Sequence, residues 1–432
     1  MKKAVIVGSG AGGAMCAREL QGHYDVTVLE AGREFHPFAV NLGLVQKFKK
    51  TGLLFDAREI PLLFPAMRIR RAGSKMILVN GRGTGGTTTI SAGNGLRMDR
   101  DLKKLGLDLD AEFEELARDV PLSTAHRKRW RPATRRLFEA FQKMQLDPRP
   151  IPKMGHYELC RGCGRCILGC PYGVKWDSRR LLEQAVQNGA RLVTRCRVEK
   201  VVSADGRATG VEARHGLSKH FFPADLVILA AGGLGTPVIL QNSGIACTPR
   251  LFVDPVLTVV TEWEAAGQDR EISMPFVSQR EGYILSPYFD YLSFFFKNDW
   301  RAKLGNTLGV MIKLADSPEG SISNKGLQKS LTAQDQGRLA EALEVCAGIF
   351  GQLGVDKSRL ILGIINAGHP GGMLPLTASE AGSLHSPLLP ENAYVADATL
   401  FPESLGNPPI LTILALAKRV SKLCRGHSAR GQ

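Results

Sequence analysis

Residues 4–13 read Ala4-Val5-Ile6-Val7-Gly8-Ser9-Gly10-Ala11-Gly12-Gly13, four apolar positions running into a glycine-dense turn. A short apolar run closed by glycine is the pattern of a strand buried on both faces, as in a parallel sheet. A helical stretch through Leu20 follows, and a second strand, Val26–Leu29, ends at Glu30. The spacing predicts a βαβ unit. Gly8, Gly10, Gly12 and Gly13 would permit a tight turn, close approach of the backbone to a pyrophosphate, and close helix–strand packing. The free N–H groups of the helix start, at Ala11, favour that anion. Glu30 stands 22 residues after Gly8, where a carboxylate can accept hydrogen bonds from an adenosine ribose.

Outward from this unit, residues 35–80 mix apolar and basic side chains (Leu53, Leu54, Phe55, Leu62, Leu63 and Phe64 among them) and are expected to cap the nucleotide. A second glycine cluster follows, Gly81-Arg82-Gly83-Thr84-Gly85-Gly86-Thr87-Thr88. Its backbone amides could approach another part of a large anionic cofactor. Residues 101–147 are helical and charged, and Ser178–Asn188 reads as a helix. Arg191–Val202 and Phe221–Leu229 read as strands, the latter entering a helix near Pro237. From 251 to 375 the texture changes to short strands and aromatic loops, and a last helix is expected over Leu411–Leu423.

The chain has 432 residues, 44% hydrophobic, with a formal charge of +15. That balance excludes the disordered and fibrous classes. The longest apolar candidate for a membrane span, Leu226–Leu240, is interrupted by Gly232, Gly233, Gly235 and Pro237, short of the about 20 residues a span needs. The start, Met1-Lys2-Lys3 before an apolar run, superficially resembles a signal peptide, but the glycine turn explains it better. A cytoplasmic location is expected, with peripheral membrane contact left open. Positive charge concentrates at Arg127–Arg131 with Arg135 and Arg136, and at Arg68–Lys75. A solvated face, an acidic redox partner or an anionic surface fit it; no nucleic-acid recognition motif accompanies it.

Four of nine cysteines fall within residues 160–170. Cys160-x2-Cys163-x2-Cys166-x3-Cys170-Pro171 has the spacing of a bacterial ferredoxin run, whose thiolates hold an iron–sulfur cluster. A four-iron cluster is placed ahead of a three-iron one, with Cys170 or a distant thiol such as Cys196 as the last ligand. Zinc and bare thiols stay open as alternatives.

Together these pieces resemble the glucose–methanol–choline (GMC) family of flavin oxidoreductases. The resemblance runs through Gly8–Gly13 with Glu30-Ala31-Gly32-Arg33, and through Gly81–Gly86, which is most similar to the cholesterol-oxidase branch. It continues in Asp225–Gly232 with Thr236-Pro237. It ends with Tyr394-Val395-Ala396-Asp397-Ala398-Thr399-Leu400-Phe401-Pro402 and Asn407-Pro408. It implies an α/β fold, a Rossmann-like FAD-binding domain interleaved with a smaller α+β substrate domain. The expected division is 1–110, 151–250 and 376–432 for FAD, 111–150 as a helical connection, and 251–375 as the substrate or cap domain.

By the same resemblance FAD would be held by Glu30 with Ala31 and Arg33, and by Arg82, Gly83, Gly85, Gly86 and Thr87. Asn94, Val198 (at the adenine), Ala231, Gly232, Asp397 and Ala398 complete the set with Asn407 and Pro408. His369, in Ala367-Gly368-His369-Pro370, resembles the family's catalytic histidine and Asn407 its partner. Histidine suits removal of a hydroxyl proton near neutral pH. The aromatic run Tyr283–Phe296 favours a lipophilic alcohol. The expected activity is an FAD-dependent alcohol dehydrogenase passing electrons through the cluster to an acidic carrier or partner redox subunit. A reductase running in reverse or acting on a C=C bond, or an electron-transfer subunit, remain alternatives.

Overall fold

The computed structural model describes residues 1–39, 43, 46, 47, 64–73, 76–297, 300 and 302–429. Half of the expected cap over 35–80, Leu53, Leu54, Phe55, Leu62 and Leu63 included, therefore lies outside the described residues, as do Lys75 and the side chain of Phe295.

The opening unit forms as its sequence predicts: strand Lys3–Val7, helix Ala11–Glu19, strand Asp25–Leu29. All five strands of the first sheet are parallel, in the order Ala393–Val395, Leu226–Leu229, Lys3–Val7, Asp25–Leu29, Arg191–Val193. Their near-continuous apolar composition suits strands covered on both faces. The helix Ala11–Glu19 packs between that sheet and the last helix, Ile410–Ala429. Gly12 makes this possible, because a side chain there would collide with the Ala396 carbonyl.

Two expected strands are divided. Arg191–Val202 becomes Arg191–Val193 in the parallel sheet and Cys196–Ala204 in a three-stranded antiparallel meander. The break is Arg195, at φ 55°, whose N–H donates to Gly32 O at 2.7 Å. Phe221–Leu229 divides at Pro223 into meander strand Ser218–Pro223 and central strand Leu226–Leu229, because proline cannot donate to a continuing ladder. The helix expected near Pro237 starts earlier and spans Gly232–Asn242.

Among the described residues the second sheet has nine strands. Its main path runs Met67–Ala72, Met76–Gly81, Ile365–Ala367, Val256–Glu262, Thr307–Leu314, Tyr283–Pro287, Phe276–Arg280, Arg149–Pro150, and Ile361–Leu362 pairs alongside Val256–Glu262. Met67–Gly81, assigned from sequence to the nucleotide portion, thus belongs to this sheet. The fold is mixed α/β, a Rossmann-like parallel region joined to a second sheet. Helices Pro132–Lys143 and Ala333–Gln352 pack on the second sheet with Trp130, Phe141, Phe276 and Phe350 buried between. No helix among the described residues is long and apolar enough to cross a membrane.

Candidate active site

A single cavity of about 900 Å³ runs from the glycine turn of the parallel sheet to the second sheet. Gly8, Gly10, Ala11, Gly12, Glu30 and Ala31 line one end. Gly8 takes φ 98°, a conformation side chains resist, and its N–H donates to Leu29 O at 2.8 Å. No side chain caps the helix beginning at Ala11, so its first N–H groups stay available to an anion. Gly13 has a packing role, since a side chain there would strike the Gly8 carbonyl.

Glu30 is buried and accepts from Ser9 N–H at 3.1 Å, Ser9 Oγ at 2.6 Å and Gly32 N–H at 2.7 Å. Burial pushes its carboxyl up despite these bonds. Ser9 also ties the two glycine clusters together, its hydroxyl lying 3.4 Å from Gly83 O and accepting from Gly85 N–H at 3.3 Å. Of the second cluster, Arg82, Gly86 and Thr87 line the cavity. Gly83 packs on the Arg33 carbonyl, and Gly85 O accepts from Thr88 Oγ1 and Ser178 Oγ; Arg33, Gly83 and Gly85 do not themselves line the cavity. Val198, Ala231, Gly232, Asp397, Ala398 and Pro408 all reach the cavity. Asp397 accepts from Gly232 N–H at 2.8 Å, Thr236 Oγ1 at 2.5 Å and Thr399 N–H at 2.8 Å. Its carboxylate therefore fixes the turn around the cavity. Asn94 lines the cavity too, with its amide held by Lys153 and Met274 Sδ.

At the other end His369 presents a partly exposed ring to the cavity. Its Nδ1 lies 2.7 Å from Lys313 Nζ and 3.3 Å from Asp254 Oδ2. Lys313 and Asp254 are themselves paired at 2.8 Å. Burial and the Lys313 ammonium depress the His369 pKa. Burial also opposes ionisation of Asp254, but Lys313 and His369 outweigh it and hold the carboxyl below its ordinary value. Asp254 has φ 52°. It is held there by its N–H on Asp316 Oδ1 at 2.8 Å and by Ser404 and Gly406 on Oδ1. A non-glycine residue in this conformation at a cavity is stored backbone strain, of order 1 kcal/mol or more.

His369 and Asn407 share no hydrogen bond among the described residues, although Gly406, beside Asn407, donates to the Asp254 carboxylate that faces His369. Asn407 exchanges amide hydrogen bonds with Gln279, at 2.9 and 3.2 Å, and does not line the cavity. Lys313 and Asp254 stand beside His369 instead, and neither follows from the motifs. Lys313 carried a signal, a lone lysine in the otherwise apolar strand Thr307–Leu314.

Cys160, Cys163, Cys166 and Cys170 border one small cavity of about 20 Å³ together with Tyr157 and Lys175. Among the described residues no three His, Cys, Asp or Glu side chains are arranged to hold a metal ion. Burial raises the Cys160 thiol to about 11 and raises Cys163 as well, the behaviour of neutral thiols. Lys175 links the two cavities, donating to Thr88 O at 3.0 Å, Thr89 O at 2.7 Å and Ser91 O at 3.0 Å.

The basic segment also has internal work. Arg129 donates to Cys160 O at 3.0 Å and Glu158 O at 2.5 Å, and Arg127 lies over Trp130 and Phe138. Phe289, Tyr291, Phe294 and Trp300 pack on one another, while Tyr288, Tyr291, Leu292 and Phe296 line the cavity.

Known proteins place this geometry. Residues 3–258 match the GMC oxidoreductase family. The chain is 34% identical over 275 residues to an uncharacterised GMC-type oxidoreductase of Mycobacterium tuberculosis, covering 57% of this chain and 40% of that one; it thus spans well under two thirds of that relative's length. It is 25% identical over 430 residues to an uncharacterised protein of Methanocaldococcus jannaschii, covering 96% and 97%. It is 24% identical over 528 residues to a long-chain-alcohol oxidase of Arabidopsis thaliana, covering 97% and 66%. The crystal structure of pyridoxine 4-oxidase from Mesorbium loti superposes with a TM-score of 0.72 at 16% identity, covering 99% and 100%, a likeness of fold. With its glycine turn, buried Glu30 and cavity in place, the chain belongs to the GMC oxidoreductase family.

Proposed function

We propose that this protein is an FAD-dependent oxidoreductase that oxidises an alcohol, with His369 handling the hydroxyl proton. The family implies FAD, and the cavity fits it. The helix at Ala11 is uncapped, Glu30 and Val198 line the wall, and the buried Asn80 Oδ1 on that wall has no partner among the described residues. Bound there, FAD would supply the hydride acceptor. Glu30 would hold the adenosine ribose and Val198 the adenine. Ile410 and Ile413, in the first turn of the last helix, line the cavity, so that helix directs its positive end towards any negative charge there.

The observation that carries the reading is that the dinucleotide cradle and the His369 ring share one cavity. Its apolar lining, Tyr288, Tyr291, Leu292 and Phe296, favours a lipophilic alcohol, in keeping with a relative named long-chain-alcohol oxidase. Anaerobic addition of primary alcohols of graded chain length to the FAD-loaded protein tests it. Bleaching of the flavin band by the longer alcohols is expected. Bleaching only by a reduced carrier would replace this reading with a reductase or an electron-transfer subunit.

A second element of the reading rests on the cysteine spacing and on all four thiols bordering one cavity. A single ion needs its ligands around one point, whereas a cuboidal cluster takes one thiolate at each corner. Cys160, Cys163, Cys166 and Cys170 would hold such a cluster, which would make the protein a dehydrogenase with an acidic carrier as acceptor. Iron and acid-labile sulfide counts per flavin in anaerobically purified protein decide this; no iron would remove it.

A further inference from the structure

Asp254, Lys313 and His369 come from three separate parts of the second sheet: the entry to strand Val256–Glu262, strand Thr307–Leu314, and the loop after Ile365–Ala367. The Lys313 side chain is 2% exposed. A lysine ammonium has three N–H donors and no acceptor. Three acceptors surround Nζ: Asp254 Oδ2 at 2.8 Å, the Asp254 carbonyl at 3.4 Å and His369 Nδ1 at 2.7 Å. The charge also sits near the buried Asp316, which is itself paired with Lys329 at 2.7 Å. Every proton of the ammonium has a partner only if His369 Nδ1 is the acceptor. A neutral imidazole that accepts at Nδ1 carries its proton at Nε2, the ring nitrogen with no protein partner among the described residues.

We propose that Lys313 is a positioning residue that locks resting His369 as its Nε2–H tautomer, so that the histidine faces the cavity as a hydrogen-bond donor and becomes a base only after Lys313 has released a proton. The inference deepens the reading of His369 given above and rests on it. In the resting state Nε2 has no lone pair for a hydroxyl proton. After the network loses one proton, Lys313 is an amine and His369 carries its hydrogen at Nδ1. The alcohol O–H then breaks, its proton bonds to Nε2, and the Nδ1 proton passes to the Lys313 lone pair. Bound FAD would supply the two-electron oxidant that takes the carbon-bound hydride. The product is a carbonyl, and Lys313 is again an ammonium. In reverse the resting network is the competent one: Nε2–H protonates a carbonyl oxygen while Lys313 reprotonates Nδ1. Asp254, Asp316 and Lys329 are the charged groups around the network, so its proton affinity belongs to the group as a whole.

The test reads the tautomer directly. FAD-loaded protein with ¹⁵N-labelled histidine is examined by long-range ¹H–¹⁵N correlation near neutral pH, with the His369 signals assigned from their loss in His369→Gln. The expected result is a protonated Nε2 and an unprotonated Nδ1, with the proton moving to Nδ1, towards Asp254, in Lys313→Met. A wild-type His369 protonated at Nδ1, or at both nitrogens, overturns the proposal whether or not the variant folds. Stopped-flow reduction by a bleaching alcohol adds a second readout. The wild-type rate should rise about tenfold per pH unit below the network's titration, the slope of one ionisation, and Lys313→Met should flatten that limb. An unchanged profile in the variant also overturns it. Failure of every alcohol to bleach the flavin would sink the functional reading while leaving the tautomer result standing.

Discussion

Lys313 Nζ and Asp254 Oδ2 stand 2.8 Å apart with side chains 2% and 1% exposed. A buried pair this close adds little net stability, but losing one partner leaves a desolvated charge and typically costs about 3–5 kcal/mol. Asp254→Asn isolates that effect, because asparagine tolerates φ 52° nearly as well as aspartate. The variant should lose about 3 kcal/mol of unfolding free energy in urea denaturation of the FAD-loaded protein. A loss under about 1 kcal/mol would mean that Lys313 is compensated elsewhere.

Glu30 and Ser9 give a second prediction, on nucleotide affinity. Glu30 accepts three hydrogen bonds, all from N–H or O–H groups of Ser9 and Gly32. In Glu30→Gln one acceptor oxygen becomes an NH₂ facing donors, and a buried mismatch of this kind costs about 1–3 kcal/mol. FAD rebinding to the stripped protein, followed by flavin fluorescence, should weaken by at least about fivefold. Equal affinity would show that the carboxylate takes no part in holding the cofactor.

What could be read without coordinates follows from range along the chain. The glycine turn, its strands and Glu30 lie within 30 residues, where period and turn chemistry carry the information. His369 was legible only through its flanking pattern. Asp254 and Lys313 were not, because they meet His369 across sequence gaps of 115 and 56 residues. The partner of Asn407 is hidden for the same reason: its motif names the residue, but not Gln279, 128 positions away, with which its amide bonds. Met67–Gly81 joined the second sheet because Met76–Leu78 pairs in parallel with Ile365–Ala367, a partner no local pattern announces.

Two glycine substitutions should act in opposite directions. At Gly12 an added methyl would collide with the Ala396 carbonyl in the parallel sheet's packing. Gly12→Ala should therefore cut the yield of soluble flavin-loaded protein severely. Gly337, exposed within helix Ala333–Gln352, meets nothing within 4 Å. Gly337→Ala should stabilise by about 0.5–1 kcal/mol through helix propensity, measured as a rise in Tm.

The pH dependence of stability has a defined sign at Glu112. Burial alone would raise its carboxyl, but Arg419, at 2.7 Å, and Lys422, at 2.8 Å, outweigh it and hold the pKa below the ordinary value. A depressed folded-state pKa means stability present above the unfolded pKa and lost as pH falls through the folded one. The Tm gap between wild type and Glu112→Gln should be widest near pH 7 and close below about pH 4. A gap that grows with acidity would reverse the assignment.

Arg129 decides between two uses of the positive charge near the cysteine run. A guanidinium reserved for an acidic carrier would point to solvent, yet Arg129 donates to the Cys160 and Glu158 carbonyls and so ties the loop shut. Hydrogen bonds from a charged donor are worth about 1.5–3 kcal/mol when shielded. The exposed position of Arg129 reduces this to about 1 kcal/mol. Opening of the loop, and with it labelling of Cys160 and Cys163 by a thiol reagent, should accelerate about fivefold in Arg129→Ala. Flavin content should not change, because Arg129 does not line the nucleotide cavity. A variant that labels at the wild-type rate while losing acceptor reduction at low salt would instead assign the residue to carrier docking, whose salt sensitivity a structural tie would not share.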